Sequence, residues 1–454
     1  MLSGNITKGL LAISLPIMVM NVLTSLFNII DMRILKLYDT ASGGLAVGAV
    51  GACSVLISLI SSLVIGVSVG ANVVIARNIG RGDKDGVDRA VGTCIATSIA
   101  GGLLLLVVGI LFARVFLNLA NCADTLMDQA TLYFRMYFGG VPILMVYNFC
   151  AAALRASGDS QRPMIYLIIG GVLKVLLNFI FVAFFKMGVV GVAVATIISW
   201  AVPMVLALHA LLTNDGIVRL KPKMIRFYRH ELAGMLQIGI PSGLQQAMYS
   251  VANLVIAATV NSYGAQATTG ISIANNYDGI LYQISVAPSL AVLPYVSQNV
   301  GCGNIKRAKQ AVTRGIFITV LLGGGIGALS AIFSQYLAAF MSSDPVVIAY
   351  AREKMIIISS LYFMCGVNAT IGEAMKGFGK PMIPTIATLV FMCLIRFPWV
   401  WFVFPLNPNF TFLYLIWPIG WTLSIAFISC FFFPTVKKVA YKYAHPEEAA
   451  AASK

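Results

Sequence analysis

Charged side chains are scarce in this sequence of 454 residues. Asp, Glu, Lys and Arg together make up 10% of the chain, whereas a typical water-soluble domain contains about a quarter. Hydrophobic residues make up 59%, and the mean hydropathy is +0.89. So few charges cannot cover a water-facing surface, and the apolar side chains must face lipid or one another. The composition excludes a soluble protein and predicts a membrane protein.

Patterns of catalytic and metal-binding residues are also absent from the sequence. The eight cysteines form no CxxC pair and the three histidines follow no ligand spacing, so neither a disulfide framework nor a metal cluster is indicated. There is no G-x-x-x-x-G-K-S/T loop, so ATP could drive the protein only through another subunit. We find no nucleophile with a base and expect neither an enzyme nor a cofactor.

The few charges are mostly positive, with a formal net charge of +15. Lys and Arg lie in short connectors between apolar runs rather than on a basic face with interleaved aromatics, so nucleic-acid binding is not expected. If the N-terminus is cytoplasmic, most of the Lys and Arg residues fall on the cytoplasmic side, as the positive-inside rule requires. We therefore expect a multi-pass protein of the cell (inner or plasma) membrane with both termini cytoplasmic.

Twelve apolar runs are long enough for a spanning helix, which needs roughly 20 residues. The first run is too long for a cleavable signal peptide and is expected to be the first span. The runs cover about 9–31, 44–76, 91–118, 131–154, 164–186, 189–212, 233–260, 266–298, 312–340, 351–375, 382–405 and 411–436.

The second half of the sequence repeats the first. Residues 75–82 (IARNIGRG) correspond to residues 296–303 (VSQNVGCG), an offset of 221. Each half holds six spans, an even number, so both halves enter the bilayer in the same sense, with a pseudo-two-fold axis along the membrane normal and a cavity between the lobes. The same offset pairs Gly158 with Gly379, Pro163 with Pro384 and Trp200 with Trp421.

These features predict an all-α membrane protein with twelve transmembrane helices arranged as two six-helix lobes. The N-lobe is expected at 1–212 and the C-lobe at 232–436. A cytoplasmic linker at 213–231 would join them, and a cytoplasmic tail would follow at 437–454.

Several motifs carry a resemblance to a known family. They are the N-x-G-x-G turns after spans two and eight, the segment NIID at 28–31, the segment LRASGDSQRP at 154–163 and the segment GVVGVAVATIIS at 188–199. With their order and the repeat, the sequence resembles the multidrug and toxic compound extrusion (MATE) family of the MOP flippase superfamily. The resemblance implies an antiporter that exports small amphipathic, often cationic compounds in exchange for Na⁺ or H⁺.

The resemblance also implies a coupling site in the N-lobe. An acidic residue late in the first span binds the cation or proton in such proteins, and here that residue is Asp31. The implied site contains Asp31, Asn28, Asn178 and Thr196. The sequence departs from the family at Val182, where an acidic residue is often found.

Arg33 and Lys36 follow Asp31 closely. Their positive charges would disfavour a bound cation at this carboxylate. Asp31 is therefore interpreted either as the coupling residue or as an ion-pair partner of Arg33 or Lys36.

A substrate cavity is predicted around Asp278, near the middle of the eighth run. Asn275, Asp278 and Tyr282 share one helix face by their spacing, and a carboxylate among tyrosines suits an organic cation. A purely structural hydrogen-bond network is the alternative. The remaining predicted cavity residues are Tyr277, Gln245, Tyr249, Asn253, Lys174 and Arg396.

Lys174 and Arg396 lie well inside spans, where each would either neutralise a buried carboxylate or meet an anionic substrate. Together with Arg33 and Lys36, these two cations support a second hypothesis, in which the protein is a flippase for lipid-linked oligosaccharides or other lipids. Glu373 is expected to form a salt bridge with Lys376 rather than to bind substrate. The expected partners are small organic substrates and membrane lipids, the expected oligomeric state is a monomer, and Na⁺ or H⁺ is the only accessory ion.

Overall fold

Helices make up nearly all of the described chain. The computed structural model describes residues 1–38, 45–120, 122–261, 263–407 and 409–445, and none of these residues forms a strand. Apolar segments in lipid become helices because every backbone N–H and C=O group must then be bonded within its own segment. The predicted all-α membrane class is confirmed.

The described α-helices follow the predicted spans. They are α1 Ile6–Tyr38, α2 Leu45–Arg81, α3 Lys84–Leu119, α4 Asp124–Ala156, α5 Gln161–Asn178, α6 Gly188–Thr213, α7 Arg229–Asn261, α8 Ala265–Gly301, α9 Ile305–Ile332, α10 Ser334–Met341, α11 Pro345–Ser360, α12 Tyr362–Gly377, α13 Met382–Ala387, α14 Arg396–Pro398, α15 Phe410–Tyr414 and α16 Ile416–Ala444. Helical turns of π type extend α5 through Phe179–Phe184, α13 through Thr388–Leu394 and α14 through Trp399–Val403.

Ten helical segments of the described chain are long and apolar enough to cross a membrane, and an eleventh is the bent pair α11 and α12. The seventh predicted run lies in α7, an unbroken helix of 33 residues. The tenth run was predicted as one span, but the structure bends it by 43°. Ser360 lies at the bend, and its hydroxyl donates to the carbonyl of Ile356.

The backbone repeats where the sequence repeats. Helices α2 and α8 are each 37 residues long. Each is followed by a glycine with a left-handed backbone, Gly82 at φ +69° and Gly303 at φ +78°, a conformation that favours glycine. Asp83 and Asn304 then cap the next helix by accepting a hydrogen bond from a backbone N–H three residues on.

The chain divides into two compact units, which we call unit N and unit C. Unit N comprises Val19–Ile79 and Asp83–Gly243. Unit C comprises Met1–Met18, Gly80–Gly82 and Leu244–Lys454. The lobe boundaries drawn from the sequence repeat remain a prediction.

Within unit N, the connector between α6 and α7 lies against α3. Lys221 pairs with Asp88 at 2.5 Å, and Arg89 pairs with Glu231 at 3.4 Å. Gly92 allows close contact, since a Cβ there would lie 1.9 Å from the carbonyl oxygen of Met224. One ion pair and a tight backbone contact therefore fix the connector to α3, and the second ion pair fixes the first turn of α7 to the same helix.

Candidate functional site

Unit N contains a cavity of 460 Å³, within the range of about 300–1,000 Å³ that is typical of small-molecule sites. Five helices, α1, α2, α4, α5 and α6, line it. Its wall combines aromatic rings and hydroxyl groups with one ammonium group, and the residues that matter most are Thr24, Ser61, Tyr137, Lys174, Thr196 and Trp200.

The aromatic wall of this cavity is held in a fixed geometry. The rings of Tyr137 and Trp200 meet edge to face, with centroids 5.0 Å apart. The Tyr137 hydroxyl lies 3.1 Å from Oγ of Ser61. Gly171 gives the Phe27 ring room to approach α5, since a Cβ there would lie 2.1 Å from that ring. Ring faces beside hydroxyl groups suit amphipathic molecules, whose apolar body needs contact and whose polar end needs a hydrogen bond.

Two predicted residues come together in this cavity, Lys174 and Thr196. Lys174 is the one charged residue among its described lining. The Thr196 hydroxyl donates to the carbonyl of Val192 at 2.8 Å and keeps acceptor capacity. Asn178 is the last residue of α5, fully buried one turn beyond Lys174, and is not part of the lining.

The other two predicted coupling residues belong to α1. The side chains of Asn28 and Asp31 lie outside the described residues. Their positions in the chain come four residues after Thr24 and Phe27, which line the cavity. The coupling role of all four residues stays a prediction.

Asp278 forms a buried ion pair in unit C. Its Oδ2 lies 2.8 Å from Nζ of Lys354, and the two side chains are only 12% and 5% exposed. Lys354 also donates to Oδ1 of Asn275. The shared face predicted for Asn275 and Asp278 is confirmed, but its partner is a lysine of α11. This contact favours the structural network over a free carboxylate for an organic cation.

The sequence analysis did not predict Lys354 as the partner of Asp278, although the spacing of the residues around Lys354 pointed to it. Val347, Ala351 and Ile358 are buried on α11, and Lys354 continues their three-and-four spacing. A lysine at an apolar position of such a stripe indicates a buried acidic partner.

Arg396 contacts two other predicted residues, Asn253 and Tyr249, and a third, Tyr282, stacks on Tyr249. Its guanidinium donates to Oδ1 of Asn253 at 2.8 Å and lies 5.9 Å from the centre of the Tyr249 ring and 4.9 Å from that of Trp417. The Tyr249 ring stacks on Tyr282. No carboxylate of the described chain lies within ion-pair distance of Arg396, which is 2% exposed. Aromatic faces and an amide oxygen stabilise this buried cation.

A second, much smaller cavity of 80 Å³ lies in unit C. Gln245, Tyr249 and Tyr282 line it together with Glu373 and Lys376, whose predicted salt bridge is confirmed at 2.7 Å. A space of this volume suits a few water molecules. It cannot hold a drug-sized compound in this conformation.

Tyr277 lies apart from the other predicted cavity residues. Its hydroxyl donates to the carbonyl of Leu337 at 2.9 Å, toward α10. The cause is helix geometry, because position 277 lies on a different face of α8 from position 278. Tyr277 is not part of the described lining of either cavity.

Every buried acidic side chain of the described chain has a cationic partner. Burial of a charge in an apolar interior is costly unless it is paired. The four pairs are Asp88 with Lys221, Glu231 with Arg89, Asp278 with Lys354 and Glu373 with Lys376.

Apolar spanning helices around a ligand-sized cavity define a multi-pass membrane transporter. Comparison with known proteins then gives the family: the MatE profile matches residues 16–180 and 241–402. The chain belongs to the MatE family, whose members are membrane transporters and not enzymes.

Individual relatives cover nearly the whole chain. The probable multidrug resistance protein YpnP of Bacillus subtilis is 26% identical over 94% of this chain and 94% of its own length. The FAD transporter of Shewanella oneidensis is 23% identical over 88% of each. A solved outward-facing multidrug resistance MATE transporter of the MOP superfamily is 21% identical, with a TM-score of 0.87 over 96% of this chain and 97% of that one.

The buried pair of Asp278 and Lys354 makes a testable prediction for stability. Asp278→Asn should destabilise the purified protein by about 3–5 kcal/mol, because it leaves a buried ammonium without its acid. The double change Asp278→Leu with Lys354→Met should recover most of this loss. Thermal unfolding in detergent measures both.

The matched control is Asp128→Asn, which breaks an exposed ion pair with Arg114 and should change the melting temperature little. Equal melting temperatures for Asp278→Asn and the unmodified protein would show that the pair is not a stabilising contact.

Proposed function

We propose that this chain is a secondary active antiporter that exports small amphipathic organic compounds in exchange for Na⁺ or H⁺. It would act as a monomer in the cell membrane, with both termini cytoplasmic. Movement of the predicted lobes would open the substrate site to one side of the membrane and then to the other. The observation that carries this proposal is the 460 Å³ cavity of unit N, whose volume and ring-rich lining suit such compounds.

We further propose that ring contacts, rather than a free carboxylate, hold the substrate. Among described residues, Asp278 and Glu373 are already neutralised by Lys354 and Lys376. A cationic compound would have to displace a buried lysine to reach either acid. The edge-to-face pair of Tyr137 and Trp200 needs no such exchange and accepts compounds of any charge.

The names of the relatives agree with a site that accepts compounds of different charge. YpnP is named as a probable multidrug resistance protein, and the Shewanella relative is named for FAD, an aromatic anion. A flippase for lipid-linked pyrophosphates ranks second, because the described lining of the unit N cavity offers a single cation, Lys174. A pyrophosphate would call for several.

Asp31 remains the proposed coupling residue. Thr24 and Phe27 bring α1 to the wall of the cavity, and Asn28 and Asp31 come one turn later in the same helix. An ion bound there would be close enough to the substrate for the two to influence each other by charge.

Transport in proteoliposomes tests the proposed function. Three fluorescent compounds with one aromatic core and a positive, neutral or negative substituent should move when a sodium or proton gradient is imposed. Their rates should lie within about thirtyfold of one another, because attraction between a ring face and a cation is worth only about 0.5–2 kcal/mol. Trp200→Ala should slow all three.

The matched control for Trp200 is Trp401→Ala, whose ring is 65% exposed and should not affect transport. Movement of the cationic compound alone would refute substrate binding by rings. Equal movement with and without both gradients would refute secondary active transport.

Asp31→Asn should abolish the dependence of transport on the ion gradient, because the amide cannot exchange a proton and binds a cation weakly. Uptake with the gradient should fall to the level measured without it. Asp128→Asn, the same change at an exposed acid, should keep the full gradient response. Unchanged gradient dependence in Asp31→Asn would remove Asp31 from the mechanism.

A further inference from the structure

A basic groove lies at one end of unit C, where the N-terminal segment meets the start of α9. Its volume is 860 Å³. Four of its lining side chains are cationic, and the described lining includes no acidic residue. The cationic residues are Lys306, Arg307, Lys309 and Arg314.

The guanidinium of Arg307 bonds to other parts of the groove wall and therefore has a structural role. Its guanidinium donates to the carbonyls of Ser3 and Gly4 at 2.7 and 3.0 Å and to the hydroxyl of Tyr295 at 3.2 Å. These bonds hold the N-terminal segment over α9. The start of α1 is thereby placed in the groove wall, and Ile6 and Thr7 of its first turn line the groove. The backbone N–H groups in the first turn of a helix have no partner within the helix, so they favour anions.

The other three cations are available to a ligand. Lys306, Lys309 and Arg314 are exposed, and their charged groups form no ion pair or hydrogen bond with any described residue. Lys306 and Arg314 are eight residues apart, about 12 Å along the helix axis. All three line the same groove, so a phosphate group in it can be near several charges at once.

The same helix face becomes apolar further along α9. Phe317 lines the groove and is 62% exposed, and Leu321, one turn beyond, is 64% exposed. α9 is itself a candidate membrane span, so this change from cations to apolar side chains follows the change from headgroups to hydrocarbon. A free anion would use the cations alone, whereas a phospholipid would use both parts.

We propose that this groove is a binding site for an anionic phospholipid. The phosphate contacts Lys306, Lys309 and Arg314, and an acyl chain lies along Phe317 and Leu321. Basic pockets beside spanning helices bind anionic headgroups, with about 1 kcal/mol per Lys or Arg near the membrane surface. Binding at this site does not depend on the proposed transport activity, so either proposal can fail without the other.

Native mass spectrometry of the full-length protein in detergent tests the site. Dioleoyl phosphatidylglycerol should bind more tightly than dioleoyl phosphatidylcholine, which has the same chains and no net charge. The triple change Lys306→Gln, Lys309→Gln and Arg314→Gln should weaken phosphatidylglycerol binding by about tenfold or more. Lys306→Arg with Lys309→Arg should keep the affinity, because the charge is unchanged.

The matched control removes three charges elsewhere. Lys437, Lys438 and Lys442 of α16 are exposed, and their change to Gln should weaken binding less than threefold. Equal weakening by both triple variants would mean general attraction by net charge and would overturn the site. Displacement of the lipid by millimolar inorganic phosphate would also overturn it, since the groove would then bind free anions.

Discussion

The cost of placing charge in an apolar interior governs this structure. A chain with 10% charged residues keeps four acidic side chains buried, and each has a lysine or arginine partner within the described residues. Three of the four pairs join elements that are distant in sequence, such as α8 and α11 through Asp278 and Lys354, whereas Glu373 and Lys376 lie three residues apart in α12. Because an unpaired partner would destabilise the bundle, these contacts fix which helix faces meet.

Charge balance also limits how a substrate can be recognised. When the buried acids are neutralised internally, no buried carboxylate of the described chain is left unpaired, and a substrate would bind to a surface of rings and hydroxyl groups rather than to a free acid. The rings of Tyr137 and Trp200, with the hydroxyls of Ser61 and Thr196, supply such a surface in unit N. On the proposed function, weak dependence on substrate charge would follow from these internal ion pairs, and the names of the relatives, for multidrug resistance and for FAD, agree with it.

Sequence alone predicted the properties that depend on local chemistry. Apolar run length predicted the spans, and the repeated glycines predicted the turns at Gly82 and Gly303, because a left-handed backbone selects glycine wherever it occurs. The spacing of Asn275 and Asp278 predicted their shared face. Their partner Lys354 and the place of Tyr277 could not be predicted in this way, because they depend on how each helix is rotated against its neighbours. The bend between α11 and α12 was missed because run length and hydropathy measure how apolar a segment is, not whether its helix is straight.

The ionisation of Asp278 is the most direct measure of the charge balance. Infrared difference spectra in lipid, between the protein labelled with ¹³C-aspartate and its Asp278→Asn variant, isolate the signal of this one side chain. At neutral pH the ion pair with Lys354 predicts that the variant loses an ionised carboxylate band. Loss of a protonated carboxyl band instead would contradict a charge-balanced interior held together by ion pairs.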